Sequence, residues 1–490
     1  MDILTRAKGY VSAQVMKGVA AFLSKASDAH VKKVFLLLSR MSPTKFHRET
    51  FRGIADMADQ NHPFYVLWRS IFKDLHPNCR NKLVINLLVN SMIIGRGIRD
   101  KKEKEYDVHL PYFMVISPTM KCNLRCKGCY AAKYPKAKEL SFEDVDRIIT
   151  EAKELGMYFF TMSGGEIFTR KDMFDIWEKH NDAYFQLYTN GTLITRDVAK
   201  RLVELGNVAP MISIEGSKEE TDWRRGKGVY DRVMEAMDIL REEGVLFGFS
   251  ATATRTSTEA ISSEEFIDFM ISKGAKVGWY FQYIPTGDAP DLEYMATPEQ
   301  RALLRERVRE YRKTKPIFLG DFWNDGLYVD GCMAAGERYM HIVATGDVEP
   351  CVFAHFAADN IHEKSLVEIL KSPFFTKIRE AAPYDDDNLT RPCMIIDHPW
   401  VLRRIVKETG AHPTHPGAEM LLGPLAPKLD EYARRVKEIF DPIWEKEDLP
   451  LYMKLLSKED KPYNYERFMR RRREVEERRK KKETEEILTK

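Results

Sequence analysis

The chain is 490 residues long, with 44% hydrophobic and 31% charged residues and a formal net charge of +3 at pH 7. It exceeds one ordinary domain, and its composition is typical of a soluble globular protein with a substantial core. A membrane-spanning helix is excluded, because the nearest apolar run, Leu83 to Gly95, is short and contains Asn86 and Asn90. Met1 to Tyr10 begins no signal peptide, so we expect a cytoplasmic protein.

Charge is distributed unevenly along the chain. Residues 1–110 contain 19 Lys/Arg against 10 Asp/Glu, residues 466–490 contain 11 against 7, and the residues between carry a net of −10. Basic ends on an acidic centre favour an anionic partner for the ends, such as a phospholipid surface or nucleic acid. Solvated helix faces are the alternative interpretation.

Residues 1–110 predict a basic amphipathic helical region. Its apolar residues recur at helical spacing, in Val11, Val15, Val19 and Phe22 and again in Phe64, Leu67, Ile71 and Leu75. Such helices either pack on the next domain or lie in a lipid headgroup layer, and the sequence leaves both open. A peripheral position on the inner face of the membrane is therefore one expectation for this protein.

From residue 111 short apolar runs alternate with amphipathic stretches. The apolar runs predict strands over Tyr112–Ser117, Tyr158–Met162, Phe185–Tyr188, Met211–Ile214, Phe247–Ala251 and Val277–Tyr283. The amphipathic stretches predict helices over Phe142–Leu155, Lys171–His180, Arg196–Leu205, Val229–Glu243 and Ser263–Ser272. Repeated βαβ units indicate an α/β fold, a partial (β/α)6 barrel over residues 111–320. Ligands of such barrels bind at the C-terminal ends of the strands.

Three of the seven cysteines, Cys122, Cys126 and Cys129, follow the first predicted strand. This crowding indicates metal or redox chemistry rather than a disulfide framework. Thiolates are the usual ligands of a four-iron cluster, and three of them leave one iron open to a chelating small molecule. A buried helix face and a zinc site are the alternatives, although Asn123 and Gly128 favour a loop over a helix.

The spacing Cys122-x3-Cys126-x2-Cys129 resembles the signature of radical S-adenosylmethionine (radical SAM) enzymes. The resemblance covers about residues 111–290 and implies a [4Fe–4S] cluster on these cysteines. It also implies S-adenosylmethionine as cofactor, bound by residues on successive βα loops, namely Gly164, Gly165, Glu166, Asn190, Ser213, Glu215, Arg225 and Ile284. One departure is Gly128, which stands where the family commonly has an aromatic residue that packs on adenine.

Within that set, Gly164-Gly165-Glu166 resembles the family's GGE segment, which holds the methionyl amine. Asn190 lies in a loop that resembles the lining of the cofactor site, and Ser213 and Glu215 match positions that hold the ribose or methionyl groups. Arg225 resembles an arginine that meets the carboxylate, and Ile284 belongs to a segment that packs near adenine. The family chemistry is reductive cleavage of S-adenosylmethionine to a 5′-deoxyadenosyl radical, which abstracts hydrogen from an unactivated C–H bond. A reductant protein of the ferredoxin or flavodoxin type is the implied partner.

The pattern Cys332-x13-Gly346-x4-Cys351 resembles the opening of the auxiliary-cluster domains called SPASM and Twitch. Gly346-Asp347 suits a hairpin turn between the two cysteines. With Cys393, residues 321–405 have three thiols for a second [4Fe–4S] cluster, and buried cysteines or zinc are the alternatives. The fourth position is an open iron or a side chain such as Asp397 or His398. Residues 406–490 predict a helical C-terminal extension with a charged tail.

Two substrate classes stay open. The basic N-terminal region suits a membrane lipid, and the whole chain is loosely similar to radical enzymes suspected of joining or altering membrane lipid chains. Many enzymes with SPASM or Twitch domains modify peptides or proteins instead. A third interpretation is a non-catalytic metal-binding scaffold for nucleic acid, but no nucleic-acid partner is expected, because the ordered loop motifs would then have no purpose.

Overall fold

The computed structural model describes residues 18, 21–22, 24–41, 45–287, 290–382, 384, 386–456, 465–466 and 468–477. Its main element is a nine-stranded sheet in the order β7-β6-β5-β4-β3-β2-β1-β8-β9. The strands of this sheet are β1 (Met114–Ile116), β2 (Phe159–Met162), β3 (Tyr184–Thr189), β4 (Val208–Ser213), β5 (Gly248–Ala253), β6 (Val277–Gln282), β7 (Phe318–Asp321), β8 (His341–Ile342) and β9 (Val348–Glu349). A separate antiparallel pair joins β10 (Phe356–Ala357) to β11 (His412–Pro413).

All neighbouring strands from β7 to β8 pair in parallel, and only β8 and β9 pair antiparallel. The β8–β9 pair is the hairpin predicted around Gly346, which adopts a φ of +86° that suits glycine in a tight turn. Because parallel strands end at one edge, the loops after β1 to β6 meet at the same face of the barrel.

The predicted α/β barrel is confirmed, and each of the six predicted strands coincides with one of β1 to β6 to within three residues at either end. The barrel helices are Phe142–Glu154, Met173–Lys179, Arg196–Leu205, Lys218–Arg225, Val229–Glu243, Thr258–Ile261, Glu264–Lys273 and Pro298–Thr314. Three of them begin with a capping box, in which Ser141, Ser217 and Thr297 exchange hydrogen bonds with Asp144, Glu220 and Gln300.

Strand β7 was not predicted, and the predicted hairpin of β8 and β9 was not expected to join the barrel sheet. β7 crosses the expected boundary between residues 111–320 and 321–405, and β8 and β9 come from the expected auxiliary region. One apolar core likewise continues from Ile116 through Ile342 and Leu402 to Leu429. The barrel and the segments after it therefore share a sheet and a core.

The N-terminal helices pack on one another and, from Pro63 onward, on the barrel. They comprise Asp28–Met41, Lys45–Asp59, Pro63–Asp74, Pro77–Lys82, a π-helix over Leu83–Ile94 and Gly95–Tyr106. In the second predicted stripe Leu67 and Leu75 are buried, and Leu75 belongs to one apolar cluster with Tyr184 and Met211 of the barrel. Of the first stripe, Val11, Val15 and Val19 lie outside the described residues. None of the described helices is both long and apolar enough to cross a bilayer.

After the barrel the chain is rich in turns and then helical again. The helices are Gly326–Val329, Leu366–Leu370, Pro373–Ala381, Pro399–Thr409, Ala426–Ile443 and Leu449–Leu455. Arg305 and Arg309 of the last barrel helix pair with the fully buried Asp448, which anchors the C-terminal helices to the barrel.

Candidate active site

A cavity of about 760 Å³ lies at the C-terminal ends of the barrel strands and continues into the barrel interior. Nine of the predicted site residues line it, namely Cys122, Cys126, Cys129, Gly164, Gly165, Asn190, Ser213, Arg225 and Ile284. Glu166 and Glu215 are buried behind its wall instead. The remaining three, Cys332, Cys351 and Cys393, lie beyond the far end.

The first three cysteines lie on an irregular loop with free thiols, as predicted from Asn123 and Gly128. Gly128 has a φ of +64°, which a helix could not accommodate. Burial raises the pKa of the Cys122 and Cys129 thiols, and the neighbouring cysteines raise both pKa values further. Such a site disfavours three free thiolates and suits a cationic group that neutralises them.

Gly164 and Gly165 are needed because the loop after β2 packs directly on the cysteine loop. A Cβ atom at Gly164 would lie 2.4 Å from the Thr119 carbonyl oxygen, and one at Gly165 would lie 2.0 Å from that of Lys121. The amides of Gly165 and Glu166 donate to the same two carbonyls, at 2.9 and 2.8 Å. These contacts fix the two loops relative to each other.

Glu166 holds the loop after β3 rather than facing the cavity. Its carboxylate accepts hydrogen bonds from the Thr189 hydroxyl at 2.8 Å, the Asn190 amide at 2.7 Å and the Phe168 amide at 3.2 Å. The Asn190 side chain in turn donates to Asn123 at 2.9 Å and contacts the Cys122 sulfur at 3.8 Å. Glu166 is therefore a positioning residue for the cysteine loop.

A Glu166→Gln variant tests this role. The amide nitrogen of Gln would face either the Thr189 hydroxyl or the Asn190 amide, and one buried donor would lose its acceptor. We expect the free energy of unfolding to fall by about 1–3 kcal/mol, measured by chemical denaturation. The exposed Glu219→Gln variant is the matched control and should leave stability unchanged. Equal stabilities for the two variants would contradict the assignment.

Glu215 and Arg225 form one buried ion cluster, together with Arg224, which the sequence analysis did not select. The Oε1 atom of Glu215 accepts from the Arg225 Nε at 2.9 Å and from the Arg224 Nη1 at 2.5 Å. The Oε2 atom of Glu215 is buried and has no hydrogen-bond partner among the described residues. Arg224 and Arg225 both line the cavity, and Glu215 pairs with the two guanidinium groups from behind its wall.

The ring of Tyr283, in the segment after β6, lies directly against Gly128. A Cβ atom at Gly128 would lie 2.8 Å from the Tyr283 ring, so the glycine makes room for that ring beside the cysteine loop. Gln282 was missed as a site residue. It lines the cavity, and its Nε2 atom is buried without a partner in the part of the chain that the structure describes. An orphaned donor on a cavity wall suits a polar ligand.

Cys332, Cys351 and Cys393 converge beyond the far end of the cavity. Their thiols lie near enough for Cys332 to raise the pKa of the other two, and burial raises the pKa of Cys351 to about 12. The Tyr339 hydroxyl donates to the Cys351 sulfur at 3.1 Å, and the Tyr339 ring lines the cavity. The cavity thus extends from one cysteine group to the neighbourhood of the other.

Asp397 is one of the two side chains considered as the fourth ligand of the auxiliary cluster, but its carboxylate is bound to other residues. Its carboxylate pairs with Arg301 at 2.5 and 3.3 Å and accepts the Cys393 amide at 3.0 Å, and both charged side chains are fully buried. His398 contacts the Arg391 carbonyl at 3.0 Å through its Nε2 atom.

A buried polar chain, which was not predicted from the sequence, connects the first cysteine loop to the β8–β9 hairpin. The Ser117 hydroxyl contacts the His341 Nε2 at 2.7 Å, and the His341 Nδ1 contacts Glu349 at 2.8 Å. The Tyr134 hydroxyl, five residues after Cys129, donates to the other oxygen of Glu349 at 2.5 Å. This chain links the first cysteine loop to the strand that precedes Cys351.

Across the described ranges, no group of three or more His, Cys, Asp or Glu side chains is arranged to hold a single metal ion. A four-iron cluster makes a different demand, because each thiolate binds its own iron. Free thiols on one loop, the two glycines that let neighbouring loops close on it, and the unpartnered polar atoms of Glu215 and Gln282 fit a cluster with a polar organic ligand.

Comparisons with known proteins agree with this geometry. Residues 116–256 match the radical SAM superfamily, and residues 332–394 match the iron-sulfur cluster-binding domain SPASM. An AdoMet-dependent heme synthase of Methanosarcina barkeri is 25% identical over 320 residues, which are 59% of this chain and 89% of that protein. The mycofactocin maturase MftC of Mycolicibacterium smegmatis is 27% identical over 277 residues, which are 54% of this chain and 68% of that protein.

Among solved structures, Streptococcus suis SuiB bound to S-adenosylmethionine shares the fold. Its TM-score is 0.50 at 20% sequence identity, with 71% of this chain and 83% of SuiB covered. The barrel and its cysteine loop thus define an enzyme of the radical SAM class.

The SPASM match completes the identification: the chain is a radical SAM enzyme with an SPASM domain. The first domain implies a [4Fe–4S] cluster and S-adenosylmethionine as cofactors, and the second implies an auxiliary iron–sulfur cluster. The interpretation as a non-catalytic scaffold is therefore set aside.

Proposed function

We propose that this enzyme abstracts hydrogen from an unactivated C–H bond in the hydrocarbon chain of a membrane lipid, and that the cavity is where it does so. Cys122, Cys126 and Cys129 would hold the [4Fe–4S] cluster. When bound, the cluster and S-adenosylmethionine supply a 5′-deoxyadenosyl radical. The other three clustered cysteines would hold the auxiliary cluster.

The polar wall of the cavity is suited to hold S-adenosylmethionine beside the cysteine loop. Arg225 presents a guanidinium group that suits a carboxylate, and Glu215 holds it in place from behind. The unpartnered Nε2 atom of Gln282 offers a hydrogen bond to a neutral polar group of the cofactor, and Asn190 would hold the cysteine loop beside it. These assignments would orient the cofactor and leave the inner part of the cavity for substrate.

The aromatic lining of the cavity, from its mouth to its interior, is the observation that carries the lipid proposal. Its rings belong to Tyr112, Phe113, Phe159, Trp279, Phe281, Phe318, Phe322, Tyr328, Tyr339 and Phe353. Such a mostly apolar wall limits the entry of water and suits a hydrocarbon chain, although the Tyr112 hydroxyl and the Trp279 Nε1 are buried there without a partner among the described residues. Excluded water also protects a radical from side reactions.

Exposed apolar side chains support access from a membrane. Phe318 and Tyr328 line the cavity and are nevertheless 47% and 44% exposed, so they mark an apolar mouth. On the outer face of the N-terminal π-helix, Leu88, Met92 and Ile93 are 39%, 48% and 68% exposed. Apolar residues on a basic region suit peripheral contact with an anionic lipid surface.

A deuterium-transfer assay tests the proposal. The reconstituted enzyme would be reduced with dithionite and given S-adenosylmethionine and phospholipid with perdeuterated chains. We expect deuterium in the 5′-deoxyadenosine product, detected by mass spectrometry, because the abstracted atom is carried by that product. Deuterium-free 5′-deoxyadenosine at the rate seen without lipid would contradict the lipid proposal and leave the radical SAM assignment intact.

A Phe318→Glu variant adds a structural test, because a carboxylate at the mouth opposes entry of an apolar chain. We expect lipid turnover to fall by roughly tenfold, which corresponds to about 1.4 kcal/mol. Phe269→Glu is the matched control, since Phe269 is an exposed aromatic residue on a barrel helix and does not line the cavity. An equal fall in both variants would contradict the proposed entrance.

Peptide modification is the second candidate, favoured by the relative named mycofactocin maturase. The relative named heme synthase adds a tetrapyrrole to the substrates worth testing. Deuterated peptide and tetrapyrrole in the same assay separate these possibilities, because only the true substrate transfers deuterium to 5′-deoxyadenosine.

A further inference from the structure

The C-terminal helices lie directly beside the apolar mouth of the cavity. Arg309 of the last barrel helix pairs with the fully buried Asp448, the residue that immediately precedes the helix Leu449–Leu455. About one turn further along the barrel helix, Arg312 lines the cavity, and its guanidinium group lies 5.7 Å from the centre of the Tyr328 ring. The barrel helix thus holds the start of the C-terminal helix next to the mouth.

The segment that forms one side of the mouth packs on the same C-terminal helix. Val329 lines the cavity, and the next residue, Asp330, accepts a hydrogen bond from the Tyr452 hydroxyl at 3.1 Å. Leu327 joins Tyr452 in one buried apolar cluster, to which Phe468 in the last described segment of the chain also belongs. The mouth and the two C-terminal segments therefore form one continuous edge of the molecule.

Apolar side chains along this edge are exposed. Met453 and Leu455 of the C-terminal helix are 38% and 46% exposed, and Phe318 and Tyr328 are exposed at the mouth. Single apolar residues scattered over a surface need no partner, whereas a group of them beside an apolar cavity marks an interaction surface. The partner of this surface is therefore itself apolar where it touches these side chains.

Positive charge lies next to the apolar side chains. Residues 470–473 are four consecutive arginines, in the segment that Phe468 anchors in the shared cluster. Two of them pair with glutamates of the same segment, and the other two, Arg470 and Arg473, are exposed. Anionic phospholipid headgroups over a hydrocarbon interior complement this combination of exposed arginines and apolar side chains. A second copy of this chain complements it less well, because a twofold contact would bring the same arginines together.

This edge lies at the end of the barrel opposite the cysteine loop. Phe318 is the first residue of β7, and parallel strands begin at one end of a barrel and finish at the other. The exposed π-helix lies at the same end, because Asn86 of that helix donates to the carbonyls of Asn181 and Ala183, just before β3 begins. Both apolar surfaces are therefore remote from the candidate cluster.

We propose that this edge is the docking surface of the enzyme on an anionic phospholipid bilayer, with the cysteine loop directed away from the membrane. We call it the docking edge, and its residues are Phe318, Tyr328, Met453, Leu455, Arg470 and Arg473. Its position beside the mouth would let a lipid chain pass from the bilayer into the cavity without crossing water. The inference rests on the proposed lipid substrate, but it is tested by binding rather than by turnover.

Vesicle binding tests the docking edge. The full-length reconstituted enzyme, unreduced, would be sedimented with vesicles of phosphatidylglycerol or of phosphatidylcholine. We expect an Arg470→Glu/Arg473→Glu variant to bind phosphatidylglycerol vesicles roughly tenfold more weakly, because two cations near the headgroups are replaced by anions. Its binding should also depend less on salt concentration than that of the wild type. A Met453→Glu/Leu455→Glu variant should lose binding to a similar extent, because carboxylates oppose burial in hydrocarbon.

A Lys200→Glu/Arg232→Glu variant is the matched control, since both cations are exposed on barrel helices and neither belongs to the docking edge. Circular dichroism verifies that each variant is folded. Unchanged vesicle binding in both edge variants would overturn the proposal. Loss of a dimer, measured by light scattering, with unchanged vesicle binding would also overturn it, and would assign the edge to a second copy of the chain. Vesicle binding that is lost in the edge variants, combined with deuterium-free 5′-deoxyadenosine, would support the docking edge and contradict only the lipid substrate.

Discussion

Replacing Cys122, Cys126 and Cys129 together with Ala is expected to abolish 5′-deoxyadenosine formation completely. These thiols are the free cysteines on the cavity wall, and their loop is fixed by the neighbouring glycine segment and by Glu166. The measurement is anaerobic reconstitution with iron and sulfide, dithionite reduction and quantification of 5′-deoxyadenosine. Iron should fall from about eight atoms to about four per chain, as the loss of one of two four-iron clusters requires.

The matched variant replaces Cys332, Cys351 and Cys393 with Ala. It should also lose about four iron atoms, but the first loop is untouched, so we expect it to retain cleavage of S-adenosylmethionine in the absence of substrate. Wild-type protein that binds zinc instead of iron would contradict both assignments. Equal 5′-deoxyadenosine formation in the two variants would contradict the assignment of the radical SAM cluster to the first cysteine group and of the auxiliary cluster to the second.

The second large effect is on stability. Arg301 and Asp397 are both fully buried, and Arg301 also contacts Asn324 and the Thr390 carbonyl. An Arg301→Met variant leaves the Asp397 carboxylate without its partner, so we expect the free energy of unfolding to fall by about 3–5 kcal/mol. Chemical denaturation measures this loss. An Arg301→Met/Asp397→Leu double variant should recover part of it, because no charge is then left unpaired.

A variant of Asp397 distinguishes two roles of its carboxylate, one as a ligand of the auxiliary cluster and the other as the partner of Arg301. An Asp397→Asn variant should change the electron paramagnetic resonance spectrum of the auxiliary cluster strongly if the carboxylate is a ligand, and only weakly if it serves Arg301. We expect the weak change, because both carboxylate oxygens contact the guanidinium group. The exposed Arg434→Met variant is the control for stability. If Arg301→Met lowered the free energy of unfolding as little as Arg434→Met does, the structural role of the Arg301–Asp397 pair would be contradicted.

Much of the barrel could be predicted from the sequence, because its strands and helices are encoded by local periodicity. The helices over Arg196–Leu205 and Val229–Glu243 were predicted to the residue. β7 was missed because four residues containing Gly320 and Asp321 show no alternation, and its strand conformation depends on pairing with β6. The two-residue β8 is likewise defined only by its neighbours β1 and β9.

The active site, like the fold, was predicted where short sequence patterns decide it and missed where tertiary contacts decide it. The spacing of the first three cysteines and the order of the loop segments led to nine residues that do line the cavity. The sequence could not distinguish residues that face the cavity from those that support it, and Glu166 and Glu215 belong to the second group. Arg224 was missed because it does not stand out from its neighbours in the sequence, whereas Gln282 belongs to the segment expected near adenine, from which only Ile284 was selected.

The sequence by itself determined the α/β class, the cysteine loop and the chemistry that three crowded thiols imply, because these depend on residue type and short spacing. The tertiary structure alone decided which side chains meet. Ser117 meets His341 across 224 residues, and Arg301 meets Asp397 across 96. Buried polar groups need hydrogen-bonding or ionic partners, and the tertiary fold decides which residues are close enough to serve. No local sequence pattern predicts these pairs.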